Sequence, residues 1–496
     1  MERVYKGVCR DTGVSGSREG CSIFSAEVAL SFKEGTFNMR RKRAGVRACL
    51  AIENGLQTSA MYSKVDLYGN AVRGMALTSV MNLMRTNAHL CHLNIGGNGI
   101  KLIEDMETVA AEVARPHTHL LTLELGCTTE HQLNANELGD ISGMRLAQAL
   151  AVNVTLTSLC LRQVSLGPRA AMALGDALAP GANCALQRLR LSSNSVMGTH
   201  SEKLFTSLAS NTSLQALELD DVGLQEGASV CIARALQLNQ TLTSLDLTHN
   251  EMGEFGCDRL CLALMSNRHT RLATLKLAHN QVGAGGAHSL AQMLSVNRTI
   301  TKLDVSQNGI QVPGGIALAE SLVRNEQCKL EVLVLNGNPL TDKTALRFAA
   351  SLRTNISLQT LSLDDCKIGE RGGVELARAL QHNSVLTSLS LQSNFLSETT
   401  GKRMVEMLQM NTTLITLDCR KNQVGHSSYG ALSKLSQRNA AIAASAEPLR
   451  LRKRIAARRA NPPFLLRPDA PQFRRIRSSV PHKKRCVWAT QITGAC

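Results

Sequence analysis

The sequence predicts an α/β solenoid in which short parallel strands and helices alternate in one repeated direction. Three observations predict it. The phrase L-x-x-L-x-L-x-x-N-x-L occurs thirteen times between residues 61 and 424, as in LCHLNIGGNGI from Leu90, LTSLDLTHNEM from Leu242, LATLKLAHNQV from Leu272 and LITLDCRKNQV from Leu414. Its Asn position recurs at steps of 28 or 30 residues, with a single step of 36, a regularity that stacked units require and a compact domain does not. Within each unit the apolar spacing also changes from alternation to a helical period.

The elements follow in chain order. Residues 1–43 carry no repeat phase and a basic balance, and are expected to be a poorly ordered N-terminal segment. Residues 44–60, with AGVRACLAIENGLQ at 44–57, read as a helix that caps the first repeat. Residues 61–442 form the repeat array, whose Asn position falls at Asn70, Asn98, Thr128, Val164, Asn194, Val222, Asn250, Asn280, Asn308, Asn338, Cys366, Asn394 and Asn422. The unit from Leu358, LQTLSLDDCKIGERGGVELARALQHNSV, shows the design. Leu361 and Leu363 alternate with polar residues, as in a strand with one buried face. Gly369, Gly372 and Gly373 let the chain bend, and Val374, Leu376, Ala377 and Leu380 then recur at helical spacing. The 36-residue step contains TTEHQLNANELGDIS, which places an insertion of about eight residues after Thr128, in the loop between strand and helix. GHSSYGALSKLSQR at 425–438 supplies the last helix.

A long helix in every unit, with the leucine phrase, resembles the ribonuclease-inhibitor subclass of leucine-rich-repeat proteins. The resemblance covers residues 61–442 and implies a horseshoe with parallel strands on its concave face and helices on its convex face. The repeats are similar to those of the Ran GTPase-activating protein and to the repeat halves of intracellular immune receptors. The first likeness implies a regulator, an activator, of a small GTPase. Cytoskeletal and ciliary scaffolds carry similar arrays.

Charge sits at the ends. The formal charge is +16, and residues 443–496 hold 13 Lys+Arg against 2 Asp+Glu, whereas residues 61–442 hold 32 against 31. The Pro/Arg-rich tail therefore reads as a disordered segment, either a binding or import segment or a solvated basic tail without a dedicated partner. LRLRKRIAARRA is expected to form a short basic helix whose Arg450, Arg452, Lys453, Arg454, Arg458 and Arg459 suit nucleic acid, an anionic surface or nuclear import. The start MERVYKGVCRDTGV has no signal-like apolar run, and nothing reaches the roughly 18 apolar residues of a membrane span. A soluble, cytoplasmic, monomeric protein is expected, with nuclear or cytoskeletal association as variants.

Several chemical-looking signals have plainer readings. Asn153, Asn211, Asn239, Asn297, Asn355 and Asn411 head N-x-[ST] triplets, yet all share one repeat phase. A turn role follows, with Asn ending each helix in a left-handed conformation. Cys257 and Cys261 lie four apart on a helix without a second pair at zinc spacing, so they read as core thiols. GHSSYGAL has phosphate-loop spacing but carries Ala431 where the lysine belongs. Asp221, His249 and His279 share a phase in three successive repeats, which suits a metal or proton-relay ladder or an ordinary polar rim. No catalytic set assembles, and no cofactor or metal is expected.

The remaining candidate is the concave strip. Arg162, Arg188 and Arg190 form a basic sector, Glu218, Asp220, Asp221 and Asp246 an acidic one, and His249 and Lys276 follow. Such a bipolar surface suits either the steering of a complementary partner or a solvated face kept soluble by mixed charge. Tyr68 is the lone aromatic among these positions, so a tight, aromatic-rich grip is not predicted. The sequence thus points to a non-enzymatic protein-interaction scaffold.

Overall fold

The structure, a computed structural model, describes residues 1–29, 35–115, 119–127, 135–182, 184–197, 202–325 and 327–460, with the backbone path alone for 446–460. It divides into two compact units, Met1–Ala443 and Ala444–Cys496. In the first, fourteen strands from β1 (Thr36–Asn38) to β14 (Thr416–Asp418) form one parallel sheet whose order equals chain order. Every neighbouring pair shares a register: β6 (Arg188–Arg190) sets Leu189 beside Leu159 of β5 (Ser158–Cys160) and Leu217 of β7 (Ala216–Glu218). A constant register stacks equivalent side chains, so the middle leucines of the inner strands form one continuous buried column. This is the α/β leucine-rich solenoid that the phrase predicts, with one strand more than its thirteen copies.

The extra strand lies in the segment read as poorly ordered. Residues 1–43 hold α1 (Glu2–Thr12), α2 (Arg18–Ala29) and β1, which pairs with β2 (Lys64–Asp66). The helix read as a cap, α3 (Val46–Leu56), is therefore the helix of an additional first repeat. α1 packs against α3 so closely that a Cβ at Gly7 would stand 2.7 Å from the Ala48 Cα. Asp11 of α1 accepts the N–H groups of Gly45 (3.0 Å), Arg47 (3.1 Å) and Ala48 (3.0 Å), satisfying donors that the start of α3 leaves open. The device recurs along the array. Asp140 accepts from Gly167 and Ala170 at the start of α7 (Pro168–Leu178), and Asp342 accepts from Gly369 and Gly372 at the start of α14 (Glu370–Leu380).

Two asparagine columns hold the units together. In the first, Asn98 Oδ1 accepts from Asn70 N–H (2.9 Å) and Val72 N–H (3.1 Å), while its Nδ2 donates to Leu67 O (3.1 Å) and Ile95 O (2.9 Å). Each such residue thus closes the buried loop of its own repeat and of the one before it. At the 36-residue step the column is filled by Asn136; Thr128, the expected position, lies outside the described residues. Asn136 Oδ1 accepts from Asn98 N–H (3.0 Å), and its Nδ2 donates to Leu125 O (2.8 Å). The eight extra residues therefore precede the asparagine, and the insertion itself lies outside the described residues.

The second column explains the N-x-[ST] triplets. Asn239 Nδ2 donates to Leu208 O (2.7 Å) near the end of the helix of the preceding repeat, and its Oδ1 accepts from Thr241 N–H (3.0 Å) and Leu242 N–H (2.8 Å). Asn411 does the same with Leu380 O (2.6 Å), Thr413 N–H and Leu414 N–H. These residues are not left-handed: φ is −67° at Asn239 and −83° at Asn411. They hold the turn through the side-chain amide, and they are buried.

The left-handed residue lies elsewhere, one before the first column. Asp221, His249, His279, Gln307 and Asp365 all have φ between 52° and 56°. At the end of the array, α16 (His426–Ala460) begins where the last helix was expected and continues through the basic stretch. In the second unit the described part is helical over 444–460, so the tail residues Arg450 to Arg459 lie on helical backbone and 461–496 lie outside the described residues.

Candidate functional site

The outward positions of the sheet form three stacked columns, two from each strand and one just after it. The constant register places Arg190 beside Glu218 and Asp246 beside Lys276. Arg190 Nε lies 3.0 Å from Glu218 Oε1, and Lys276 Nζ lies 2.8 Å from Asp246 Oδ2. In the third column Arg162 spans two repeats to Asp220 at 3.4 Å, and Ser192 Oγ also donates to Asp220. The hydrogen bond to Asp246 holds the Lys276 ammonium above its ordinary pKa, with burial acting the other way. The bipolar strip read from sequence is thus largely an internally paired ladder. Exposed pairs of this kind add little stability, but they fix the directions in which long side chains point.

Arg188 is the exception among the predicted cations. It opens β6 on the concave side, is exposed, and pairs with no carboxylate among the described residues. Sequence reasoning missed Ser192, and also His92 and Glu124, whose side chains approach to 3.8 Å. The common phase of these positions in neighbouring units was the signal that could have found them. Tyr68 is not an accessible aromatic: it is 3% exposed, with the Arg40 guanidinium 4.4 Å from its ring centre. Gly96 and Gly97 make room for it, since a Cβ at Gly97 would come within 3.1 Å of the ring.

The Asp221, His249 and His279 series sits on the rim, at the left-handed turn. The two imidazoles stack with centroids 4.0 Å apart and planes 13° from parallel. Partial burial, reinforced by the charge of His249, lowers the His279 pKa, while Asp304 opposes the shift. Among the described residues no group of three or more His, Cys, Asp or Glu is arranged to hold a metal ion. Cys257 and Cys261 are buried in the core, at 0% and 2% exposure. The GHSSYGAL stretch is the turn into α16: Gly425 takes φ 80°, and Tyr429 Oη donates to Cys419 O at 2.6 Å. No described helix is long and apolar enough to cross a membrane.

This chain carries leucine-rich repeats. A family model described as Leucine Rich repeat matches residues 238–261, 296–319 and 354–377. The human NACHT, LRR and PYD domains-containing protein 12 is 30% identical over 227 residues, covering 40% of this chain and 21% of that protein. The mouse NACHT, LRR and PYD domains-containing protein 14 is 26% identical over 349 residues, covering 70% of this chain and 33% of that protein. The chain therefore spans a fifth to a third of these relatives. Among solved structures, the Leiomodin-1 Actin-Binding Site 2 chain aligns at 20% identity and a TM-score of 0.30, covering 36% of this chain and 97% of that one.

Proposed function

We propose that the chain is a non-enzymatic scaffold that holds a protein partner along the concave face of residues 61–442. The observation that carries the reading is the pairing of the concave charges. Arg162–Asp220, Arg190–Glu218 and Asp246–Lys276 are fixed in place before any partner arrives. Arg188 stands among them with its charge unmatched among the described residues. Preorganised side chains lower the entropic cost of binding, and an unmatched cation gives a carboxylate-bearing partner its register. The test captures partners on residues 1–442 with and without Arg188→Glu and Arg190→Glu. A saturable partner released by both changes supports the reading. A partner unaffected by them contradicts it, and stimulation of GTP hydrolysis by a captured small GTPase would move the reading to GTPase regulation.

The basic tail supports an auxiliary contact. Residues 443–496 carry 13 Lys+Arg against 2 Asp+Glu, the composition that binds nucleic acid or another anionic surface through counterion release. Such binding weakens steeply with salt and is lost when 443–496 are removed. Salt-independent binding would contradict it.

A further inference from the structure

We propose that the edge of β14 left unpaired among the described residues is a second binding site, which takes an extended, acidic segment of a partner protein as a further parallel strand. The ladder within the array defines what this edge lacks. Ile415 N–H and Thr416 N–H donate to Thr387 O at 2.8 and 3.0 Å, and Leu391 N–H and Ser393 N–H donate to Asp418 O and Arg420 O at 2.8 and 3.0 Å. Shifted by one repeat, the same pattern leaves Ile415 O to accept two donors and the N–H groups of Cys419 and Lys421 to donate outward. Neither of these N–H groups meets an acceptor among the described residues. Backbone groups at this spacing select an extended chain in parallel register.

The side chains agree with the backbone. The middle leucines from β3 (His92–Asn94) to β13 (Ser388–Ser390) are at most 1% exposed, whereas Leu417 of β14 is only partly buried. A groove of about 440 Å³ opens beside it, lined by Leu417, Tyr429, Leu432, Ser436 and Gln437 among others. Ser436 Oγ is buried there without a partner. The opposite end is closed: α1 and α2 precede β1, whose Phe37 is 2% exposed and is followed by Met39 at 0%. Charge selects the occupant. Arg420 is taken by Asp418 at 2.6 Å, whereas Lys421 and Lys434 are exposed and pair with no carboxylate among the described residues. An incoming strand thus places an apolar residue beside Leu417 and a carboxylate beside Lys421.

Backbone amide exchange on the full chain tests this with two synthetic peptides. One has the sequence of residues 214–224, LQALELDDVGL, and the other that of residues 186–196, LQRLRLSSNSV. At saturation the acidic peptide should slow exchange at Cys419 and Lys421 about tenfold or more, while the basic peptide leaves them unchanged. Lys421→Glu, a surface change that spares the fold, should reverse that preference. Leu417→Asp should abolish protection by either peptide. Equal protection by both peptides, or by neither, overturns the proposal. Protection that rises with protein concentration alone also overturns it, because a second copy would then occupy the edge.

Discussion

Replacing Asn308 by Ala removes one rung of the inner asparagine column without touching the surface. Asn308 is 2% exposed. Its Oδ1 accepts from Asn280 N–H (2.8 Å) and Val282 N–H (3.3 Å), and its Nδ2 donates to Leu277 O (2.8 Å) and Ser306 O (3.0 Å). At about 1 kcal/mol net for each lost bond, and with some relaxation of the loop, the array should lose about 3 kcal/mol locally. Because a repeat array opens in sections, the suitable assay is native-state amide exchange rather than a single melting curve. Exchange at Asn280 and Val282 should accelerate on the order of a hundredfold, with repeats near the N-terminus unchanged. Asn308→Asp keeps the acceptor but turns a carboxylate toward two carbonyls, and should be at least as damaging. A change below about 0.5 kcal/mol in Asn308→Ala would refute the view that these amides hold the loops.

Other predictions concern the turns, thiols and rim. Asp342→Ala uncovers the N–H groups of Gly369 and Gly372 and should cost about 1 kcal/mol, read as faster exchange at the start of α14; unchanged exchange would rule out the inter-repeat cap. Burial pushes the thiols of Cys49, Cys366 and Cys419 up to about 12, so roughly one in ten thousand is thiolate at pH 8. Alkylation of the native protein at that pH should spare all three, and rapid labelling of Cys366 would contradict its place in the core. His279 should titrate below its ordinary value in an NMR pH series, and His249→Gln should raise it by removing the neighbouring charge. A lowered folded-state pKa means the fold favours neutral His279. Its contribution is therefore full above the unfolded value and falls as pH drops toward the folded one. A His279 midpoint that does not move in His249→Gln would break the link to the stacked ring.

The repeated units were legible because their causes are local: leucine spacing, an amphipathic helix and a loop asparagine recur within one unit. What escaped depended on a neighbour. Thr36–Asn38 carries only part of the leucine phrase, and its strand is recognisable once β2 lies beside it. Asn136 was displaced from the expected position by the insertion, and only its hydrogen bonds to Asn98 and Leu125 show that it fills the column. The triplet asparagines were correctly read as turn residues but for the wrong reason, since the amide rather than a left-handed backbone holds the turn. In the site, residue types were visible but pairing was not. Arg190 and Glu218 are 28 residues apart, and parallel register turns that separation into a 3.0 Å contact. Arg188 differs from Arg190 by two positions in sequence, and only the structure distinguishes the unmatched charge from the matched one.

The central claim, that the concave face holds a protein partner, is tested most directly by site-specific photocrosslinking. A photoreactive residue at Thr274, on the concave side of the sheet, is compared with one at Gln292, exposed on the helix Gly283–Val296. The account predicts a crosslink from Thr274 to a protein whose capture is lost in Arg188→Glu, and none from Gln292. A crosslink from Gln292 alone would contradict it.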